Sequence, residues 1–226
     1  MNKTMKLLKS QPGLIMSLPK NDPELAKAAM RGGADILKVH IRVVHAASGT
    51  HFGTLAEEKD NLQQIIDMFP GPVGIVTGAT DAATPQEMAE LAAMGIDFFD
   101  MYADHMPAWM WTIDDMDITV ALDYKYTIHQ AIALERMGVK MLEAAIMHHD
   151  GYGKSLTTND LAAYQELRET VDVPIIVPTQ RAITPLEAPL LFGLCNIDAL
   201  MVGAIVTGKT PESIEKAVKE FKKALE

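Results

Sequence analysis

Cysteine is almost absent from this chain, which has a single one, Cys195, among its 226 residues. One cysteine excludes an internal disulfide and a cysteine-based zinc site. Basic residues are also few: 20 Lys and Arg stand against 30 Asp and Glu, which gives a formal net charge of −10. Because nucleic acids and anionic membranes are bound through an excess of cationic side chains, neither is expected as a partner.

Long apolar runs are missing as well, although 48% of the residues are hydrophobic. No run reaches the ~18–20 residues that cross a bilayer, and the N-terminal arm 1–12 is too short and too polar for a secretory signal peptide. We therefore expect a cytoplasmic protein. Residues 1–226 contain no linker, low-complexity tract or shift in composition, so we expect one domain.

Short apolar runs alternate with helical patterns along the whole chain, which is typical of βα units around a parallel sheet. Eight runs predict strands, at residues 13–18, 35–41, 72–77, 97–102, 118–123, 139–145, 173–178 and 198–204. Eight such units in about 200–250 residues predict an α/β fold with a single (β/α)8 TIM barrel. A doubly wound open sheet, which usually has five or six strands, is the second choice.

The predicted helix boundaries support this repeat. Helices are expected to start where Asp or Thr is followed by proline and to end at a glycine, because these residues suit the N-cap, the first turn and the C-cap. The starts are Asp22, Thr84, Thr184 and Thr210, and the ends are Gly33, Gly95 and Gly138.

Function in a TIM barrel lies at the carboxyl ends of the strands and in the loops that follow them. The residues there are Ser17, Lys20, Lys38, His40, Arg42, Thr77, Asp100, Tyr102, His105, Asp123, Glu143, Gln180, Arg181, Gly203, Ala204 and Thr207. Their positions predict which side chains share one mouth of the barrel.

Lys38 and Glu143 are the predicted acid–base residues. Lys38 and His40 are two residues apart on one strand, so their side chains share a face. Glu143 interrupts an apolar run, where a carboxylate is costly to bury without a partner. We expect Lys38 and Glu143 to face each other across the mouth, with His40 and Asp123 as further candidates. Burial is expected to lower the lysine pKa; the alternative is a purely structural ion pair.

A phosphate site is predicted in the loops after the last two strands, where helix amides and dipole favour an anion in these barrels. Gly203 allows the backbone to approach the phosphate closely, although it could instead simply complete a tight turn. The expected contacts are Gln180, Arg181, Gly203, Ala204 and Thr207.

Four short motifs carry a resemblance to a known family: Gly13-Leu14-Ile15-Met16-Ser17, Asp150-Gly151-Tyr152, Arg181-Ala182-Ile183-Thr184-Pro185 and Val202-Gly203-Ala204-Ile205. With these motifs the chain resembles the ribulose-phosphate-binding barrels, and within them the N-acetylmannosamine-6-phosphate 2-epimerases. The resemblance implies a TIM barrel and a phosphate site, and it places Lys38 roughly at a family arginine that contacts substrate.

Two residues of that family's pattern are missing. Its lysine at the end of strand three corresponds to Thr77, and its glutamate after strand seven is absent from Thr179-Gln180-Arg181. The expected function is an enzyme that isomerises or epimerises a small phosphorylated sugar or related metabolite by proton transfer next to a carbonyl, without a cofactor. The alternatives are a lyase that forms a Schiff base on Lys38 and a non-catalytic barrel that binds a phosphorylated metabolite.

Two further features bear on metals and on assembly. Histidines 40, 45, 51, 148 and 149 could supply metal ligands, but their spacing matches no metal motif, so no metal is predicted. The loop Met106–Trp111 is unusually apolar, which predicts that a second subunit or the barrel mouth covers it. We therefore expect a homo-oligomer.

Overall fold

The computed structural model describes residues 3–226 of the chain. Eight parallel strands close into a barrel in which each strand pairs with the next and the last pairs with the first. The barrel strands are β1 (Gly13–Ser17), β2 (Ile36–His40), β5 (Val73–Val76), β6 (Phe98–Tyr102), β7 (Asp117–Ala121), β8 (Met141–Glu143), β9 (Ile175–Pro178) and β10 (Ala199–Val202). Two short strands, β3 (Val43–His45) and β4 (Thr50–Phe52), form a separate antiparallel hairpin.

Helices connect the barrel strands. They are α1 (Lys3–Ser10), α2 (Pro23–Gly32), α3 (Leu55–Met68), α4 (Pro85–Met94), α5 (Ile128–Met137), α6 (Thr158–Arg168), α7 (Ala188–Cys195), α8 (Ala204–Thr207) and α9 (Pro211–Leu225), with short 3-10 helices at Ala108–Thr112 and His149–Gly151. This architecture confirms the predicted TIM barrel, and each of the eight predicted apolar runs overlaps one barrel strand, with only β7 starting one residue before its run.

Most predicted helix boundaries agree with the structure, but the one at Thr184 is wrong. Asp22, Thr84 and Thr210 are N-caps, and Gly33, Gly95 and Gly138 are left-handed C-caps. Thr184 instead starts a turn, in which the Glu187 carboxylate accepts hydrogen bonds from its backbone N–H and its hydroxyl. Helix α7 begins only at Ala188, because Pro189 has no N–H and fits only the first turn of a helix.

The floor of the barrel is an apolar layer. Inward-facing side chains from six strands and Leu8 of α1 form one buried cluster, made of Leu8, Ile15, Ile36, Phe98, Met141, Ile176, Ala199 and Met201. The predicted arm 1–12 therefore contains a helix that packs against the amino-terminal end of the barrel. Because apolar side chains fill this end, the polar inward-facing side chains gather in the carboxyl half.

The apolar loop Met106–Trp111 packs on its own chain. Met110 is fully buried, and Met106, Trp109 and Trp111 are partly buried against the main core. The homo-oligomer stays a prediction.

Gly74 makes room for Phe98 in the barrel floor. A Cβ atom at residue 74 would lie 2.0 Å from Phe98 Cζ. We expect Gly74→Ala to lower the free energy of unfolding by about 1–3 kcal/mol, the usual cost of overpacking a core. Denaturant unfolding with Gly203→Ala as the control measures this, because a Cβ there has only Ser17 Cβ nearby, at 3.9 Å. Equal stability of the two variants would contradict the packing assignment.

Candidate active site

A cavity of about 260 Å³ opens at the carboxyl ends of the barrel strands. Strand ends form its floor and walls, and the β3–β4 hairpin covers one side with residues 43–47. The hairpin is not predicted by the sequence analysis. It starts after Arg42, whose left-handed backbone (φ 54°) and contacts with Asp81 and Glu87 turn the chain out of β2.

The floor of this cavity holds three buried charged side chains. Lys38 of β2 donates to Asp100 of β6 at 2.5 Å and also to Glu143 of β8. All three are at most 7% exposed. The structure therefore brings together Lys38 and Glu143, as the sequence predicts, and adds a second carboxylate that the prediction left out.

The charge cluster sets the protonation of its members. Burial alone would lower the pKa of Lys38, but attraction by Asp100 and Glu143 outweighs it and raises the pKa. The prediction of a lowered lysine pKa is wrong, because two carboxylates share this one ammonium group. Burial and the charge of Glu143 raise the pKa of Asp100 well above its ordinary value. Burial opposes ionisation of Glu143, but the positive charge of Lys38 and the hydrogen bond that Lys38 donates lower the pKa of Glu143.

Two histidines lie above the cluster. His40 of β2 has its Nε2 3.4 Å from Ser17 Oγ, and its ring centroid is 4.6 Å from that of His45 on the hairpin. Burial, His45 and Lys38 together lower the pKa of His40 well below its ordinary value. Burial and the charge of Lys38 lower the pKa of His45 to about 4. Both rings are therefore neutral at pH 7 and can donate or accept one hydrogen bond each.

Gln180 fixes the wall of the cavity that follows β8 and β9. Its amide accepts from the backbone N–H of Met147 and donates to the carbonyl of Ala145 and to the hydroxyl of Tyr152. Burial and the neighbouring Tyr152 raise the pKa of Tyr102. Gln180 lines the cavity, yet these contacts already use its polar atoms.

Gly203 borders the cavity at the start of α8. Its N–H donates to Thr179 Oγ1 at 3.0 Å, and Ile205 of the first helical turn also lines the cavity. The first amides of a helix have no acceptor within that helix. The N–H groups of Ala204 and Ile205, in the first turn of α8, therefore have no acceptor within that helix.

The remaining predicted residues lie outside the cavity. Thr207 donates to the carbonyl of Gly208. Arg181 donates to the carbonyl of Gly151 at 3.0 Å and to Asp160 at 2.8 Å. Asp123 accepts from the N–H of Lys125 and borders a second cavity, of about 470 Å³. The contacts of Arg181 give it a structural role, and its role as a phosphate ligand stays a prediction.

Asp100 is among the predicted strand-end residues and His45 among the histidines that could bind a metal, but neither is predicted to take part in the acid–base step. Asp100 was recognisable as a polar strand end, and its alternation with Tyr102 places it inside the barrel. What the sequence lacked was the register that sets it beside Lys38. His45 could not be found without the hairpin that carries it.

Residues 3–226 contain neither a membrane-spanning helix nor a recognisable metal cluster. No helix there is long and apolar enough to cross a membrane. Within the same range, no three His, Cys, Asp or Glu side chains are grouped so that they could hold a metal ion.

Several solved structures are similar to this chain over almost its whole length. A chain of tryptophan synthase from Mycobacterium tuberculosis has a TM-score of 0.72 at 12% identity, covering 100% of both chains. KGPDC from Streptococcus mutans has a TM-score of 0.67 at 16% sequence identity, and the match covers 95% of this chain and 97% of the KGPDC chain. Phosphoribosylanthranilate isomerase from Thermotoga maritima has a TM-score of 0.65 at 11% sequence identity, and the match covers 95% of this chain and 98% of the isomerase chain.

At such low identity these structures establish the TIM-barrel fold. No protein-family model matches the chain, and no curated protein matches it either. The resemblance to the epimerases therefore stays a prediction.

The contacts of Arg181 lead to a stability prediction. Its partner Asp160 is 6% exposed, and Arg181 is 18% exposed. We expect Arg181→Ala to lower the free energy of unfolding by about 1–3 kcal/mol, because it leaves a buried carboxylate without its charged donor. The measurement is denaturant-induced unfolding. The control is Lys27→Ala, which breaks the exposed Lys27–Glu24 ion pair. A loss no larger than in that control would show that Arg181 is free for another role.

Proposed function

We propose that this protein is an enzyme that acts on a small phosphorylated sugar or related metabolite and isomerises or epimerises it by proton transfer next to a carbonyl. The observation that carries this proposal is the buried cluster of Lys38, Asp100 and Glu143 on the floor of the cavity. Burying charges in a barrel brings little stability compared with well-packed apolar residues. Carboxyl groups with pKa values pushed apart are what acid–base catalysis requires.

The cavity offers a role for each nearby group. The Glu143 carboxylate removes the proton from the carbon next to the carbonyl. Lys38 stays protonated beside the carboxyl groups. Its positive charge stabilises the negative charge that develops as Glu143 removes the proton. The neutral ring of His40, hydrogen-bonded to Ser17, orients the substrate by donating to one of its oxygens.

The phosphate group is proposed to lie at the start of α8. Gly203 brings the backbone to the cavity without a side chain, and the free amides of Ala204 and Ile205 favour an anion. The similar isomerase from Thermotoga maritima has a phosphoribosyl compound in its name, which agrees with a phosphorylated substrate.

The protonation of Lys38 favours proton transfer over Schiff-base chemistry. A Schiff base needs a neutral amine, and the raised pKa of Lys38 keeps it an ammonium group. We therefore expect borohydride with an aldose phosphate to leave the mass of the protein unchanged. A covalent adduct at Lys38 would establish the lyase instead.

Deuterium exchange tests the proposed reaction. In D₂O, wild-type protein should exchange the proton next to the carbonyl of an aldose phosphate, with N-acetylmannosamine 6-phosphate in the panel. We expect Glu143→Gln and Lys38→Met to slow this exchange at least ~100-fold. Lys59→Met, which removes the surface partner of Glu90, is the control.

Melting temperatures separate chemistry from folding, because breaking a buried pair can cost ~3–5 kcal/mol. Near-normal exchange in either cavity variant would make that residue structural. Ligand binding without any exchange in wild type would leave a non-catalytic binding protein.

The phosphate position has its own test. The backbone of Gly203 is extended (φ −136°), so Gly203→Val should fold while its side chain enters the proposed phosphate site. We expect this variant to bind N-acetylmannosamine 6-phosphate at least about tenfold more weakly in calorimetry, a loss of ~1.4 kcal/mol. Gly193→Val on α7, where a Cβ meets nothing within 4 Å, is the control. Unchanged affinity at Gly203 would rule out this site.

A further inference from the structure

Asp100 has one carboxyl oxygen that the fold does not use. The side chain is 1% exposed, and its Oδ2 atom accepts from Lys38. Its Oδ1 atom is buried and, among residues 3–226, has no hydrogen-bond partner. A buried polar atom left without a partner costs free energy and is rare in folded proteins. Since Asp100 lines the cavity, a bound substrate can supply the missing partner.

We propose that Asp100 is the proton donor of this site and protonates the carbonyl oxygen of the substrate while Glu143 removes the neighbouring carbon-bound proton. This inference rests on the proposed function and adds a third catalytic residue to it. It also gives Lys38 a different task from the one predicted by sequence, since the lysine holds charge and does not release its proton.

The surroundings of Asp100 require a proton on one of the two carboxyl groups. Lys38 of β2 is the only lysine or arginine among the described residues that line the cavity, and it contacts both Asp100 and Glu143. Like charges this close cannot both ionise fully against one cation in a dry site.

Three other titratable side chains that line the cavity, those of His40, His45 and Tyr102, supply no further charge. The rings of His40 and His45 are neutral at pH 7, because burial lowers the pKa of each. Burial raises the pKa of Tyr102, which stays protonated. Thr119 lies opposite Asp100 in the β6–β7 register and is not ionisable. One cation therefore serves two carboxyl groups, and the raised pKa of Asp100 marks it as the one that keeps the proton.

The proton balance closes within the cluster. The carbon–hydrogen bond next to the carbonyl breaks, its proton goes to Glu143, and its electron pair forms the carbon–carbon double bond. The carbonyl oxygen takes the proton from Asp100, which leaves a neutral enol, a protonated Glu143 and an ionised Asp100. Glu143 then gives its proton to the former carbonyl carbon, while the hydroxyl on the neighbouring carbon gives its proton to Asp100 and becomes the new carbonyl, which restores the starting state of the enzyme.

Lys38 lowers the free-energy cost of moving the negative charge from Glu143 to Asp100. The negative charge begins on Glu143 and ends on Asp100, and both groups contact the same ammonium nitrogen. The cation therefore stabilises both states without moving. Lys38 itself is a poor donor, because the attraction of both carboxyl groups raises its pKa.

Carbon-13 NMR of protein labelled at the aspartate carboxyl carbons tests the protonation without any substrate. We expect the Asp100 resonance to ionise at the highest pH of the aspartates, well above the ordinary pKa of about 3.9 and above Asp97, Asp117 and Asp198, whose pKa values burial also raises. That resonance should disappear in Asp100→Asn and persist in Asp117→Asn, which changes another barrel aspartate that does not line the cavity. Ionisation of Asp100 together with the exposed aspartates would overturn the proposal.

Deuterium exchange with the aldose phosphate panel tests the catalytic role. We expect Asp100→Asn, which can still accept from Lys38, to slow exchange at least ~100-fold. Asp100→Glu, which restores a carboxyl group, should recover part of the rate with a shifted alkaline limb in the pH profile. Equal losses in both variants with matching drops in melting temperature would show a structural residue and overturn the proposal.

The two proposals fail in different ways. If wild-type protein exchanges no proton with any compound of the panel, the proposed function and the donor role fail together. If wild type exchanges and Asp100→Asn retains near-normal exchange, only the role of Asp100 is wrong.

Discussion

The burial of one ammonium group governs the architecture of the cavity. Lys38 can be taken out of water only if anionic partners surround it, because an unpaired buried charge costs several kcal/mol. Its partners come from β6 and β8, on other sides of the barrel. The ion cluster therefore forms only when the barrel is closed in this strand order and register, and it ties the site to the complete fold.

The apolar floor below the cluster strengthens these interactions. Phe98 occupies the space that the absent side chain of Gly74 leaves, and α1 packs Leu8 against the same layer. Together they fill the amino-terminal end of the barrel. Because charges interact more strongly where water is excluded, this packing helps to separate the pKa values of Asp100 and Glu143. Core packing and acid–base chemistry are thus parts of the same arrangement.

The sequence was sufficient for the barrel and for part of the site, for identifiable reasons. Apolar runs, N-caps and glycine C-caps are local signals, and they located the eight strands and most helix boundaries. Glu143 stood out because a carboxylate in an apolar run needs a partner, and Lys38 is in contact with it.

The remaining features depend on which residues meet in space. Arg181 follows β9 in a motif that resembles a phosphate loop, but its guanidinium contacts Asp160 on α6. The hairpin that carries His45 consists of two three-residue strands, too short for a clear alternation. The lowered lysine pKa was expected from burial alone, which omits the second carboxylate, Asp100. Each of these features depends on a long-range contact that the local pattern does not encode.

The scarcity of cations in the cavity constrains how an anionic substrate can bind. Lys38 is already shared by two carboxyl groups, and the chain as a whole carries a net charge of −10. The proposed phosphate position at the start of α8 agrees with this shortage, because backbone amides there can hold an anion without a further cation. Lys209, just beyond that helix, donates to the carbonyl of Ser48 in the hairpin. The proposed phosphate end and the hairpin that covers one side of the cavity are therefore linked directly, through Lys209 and Ser48.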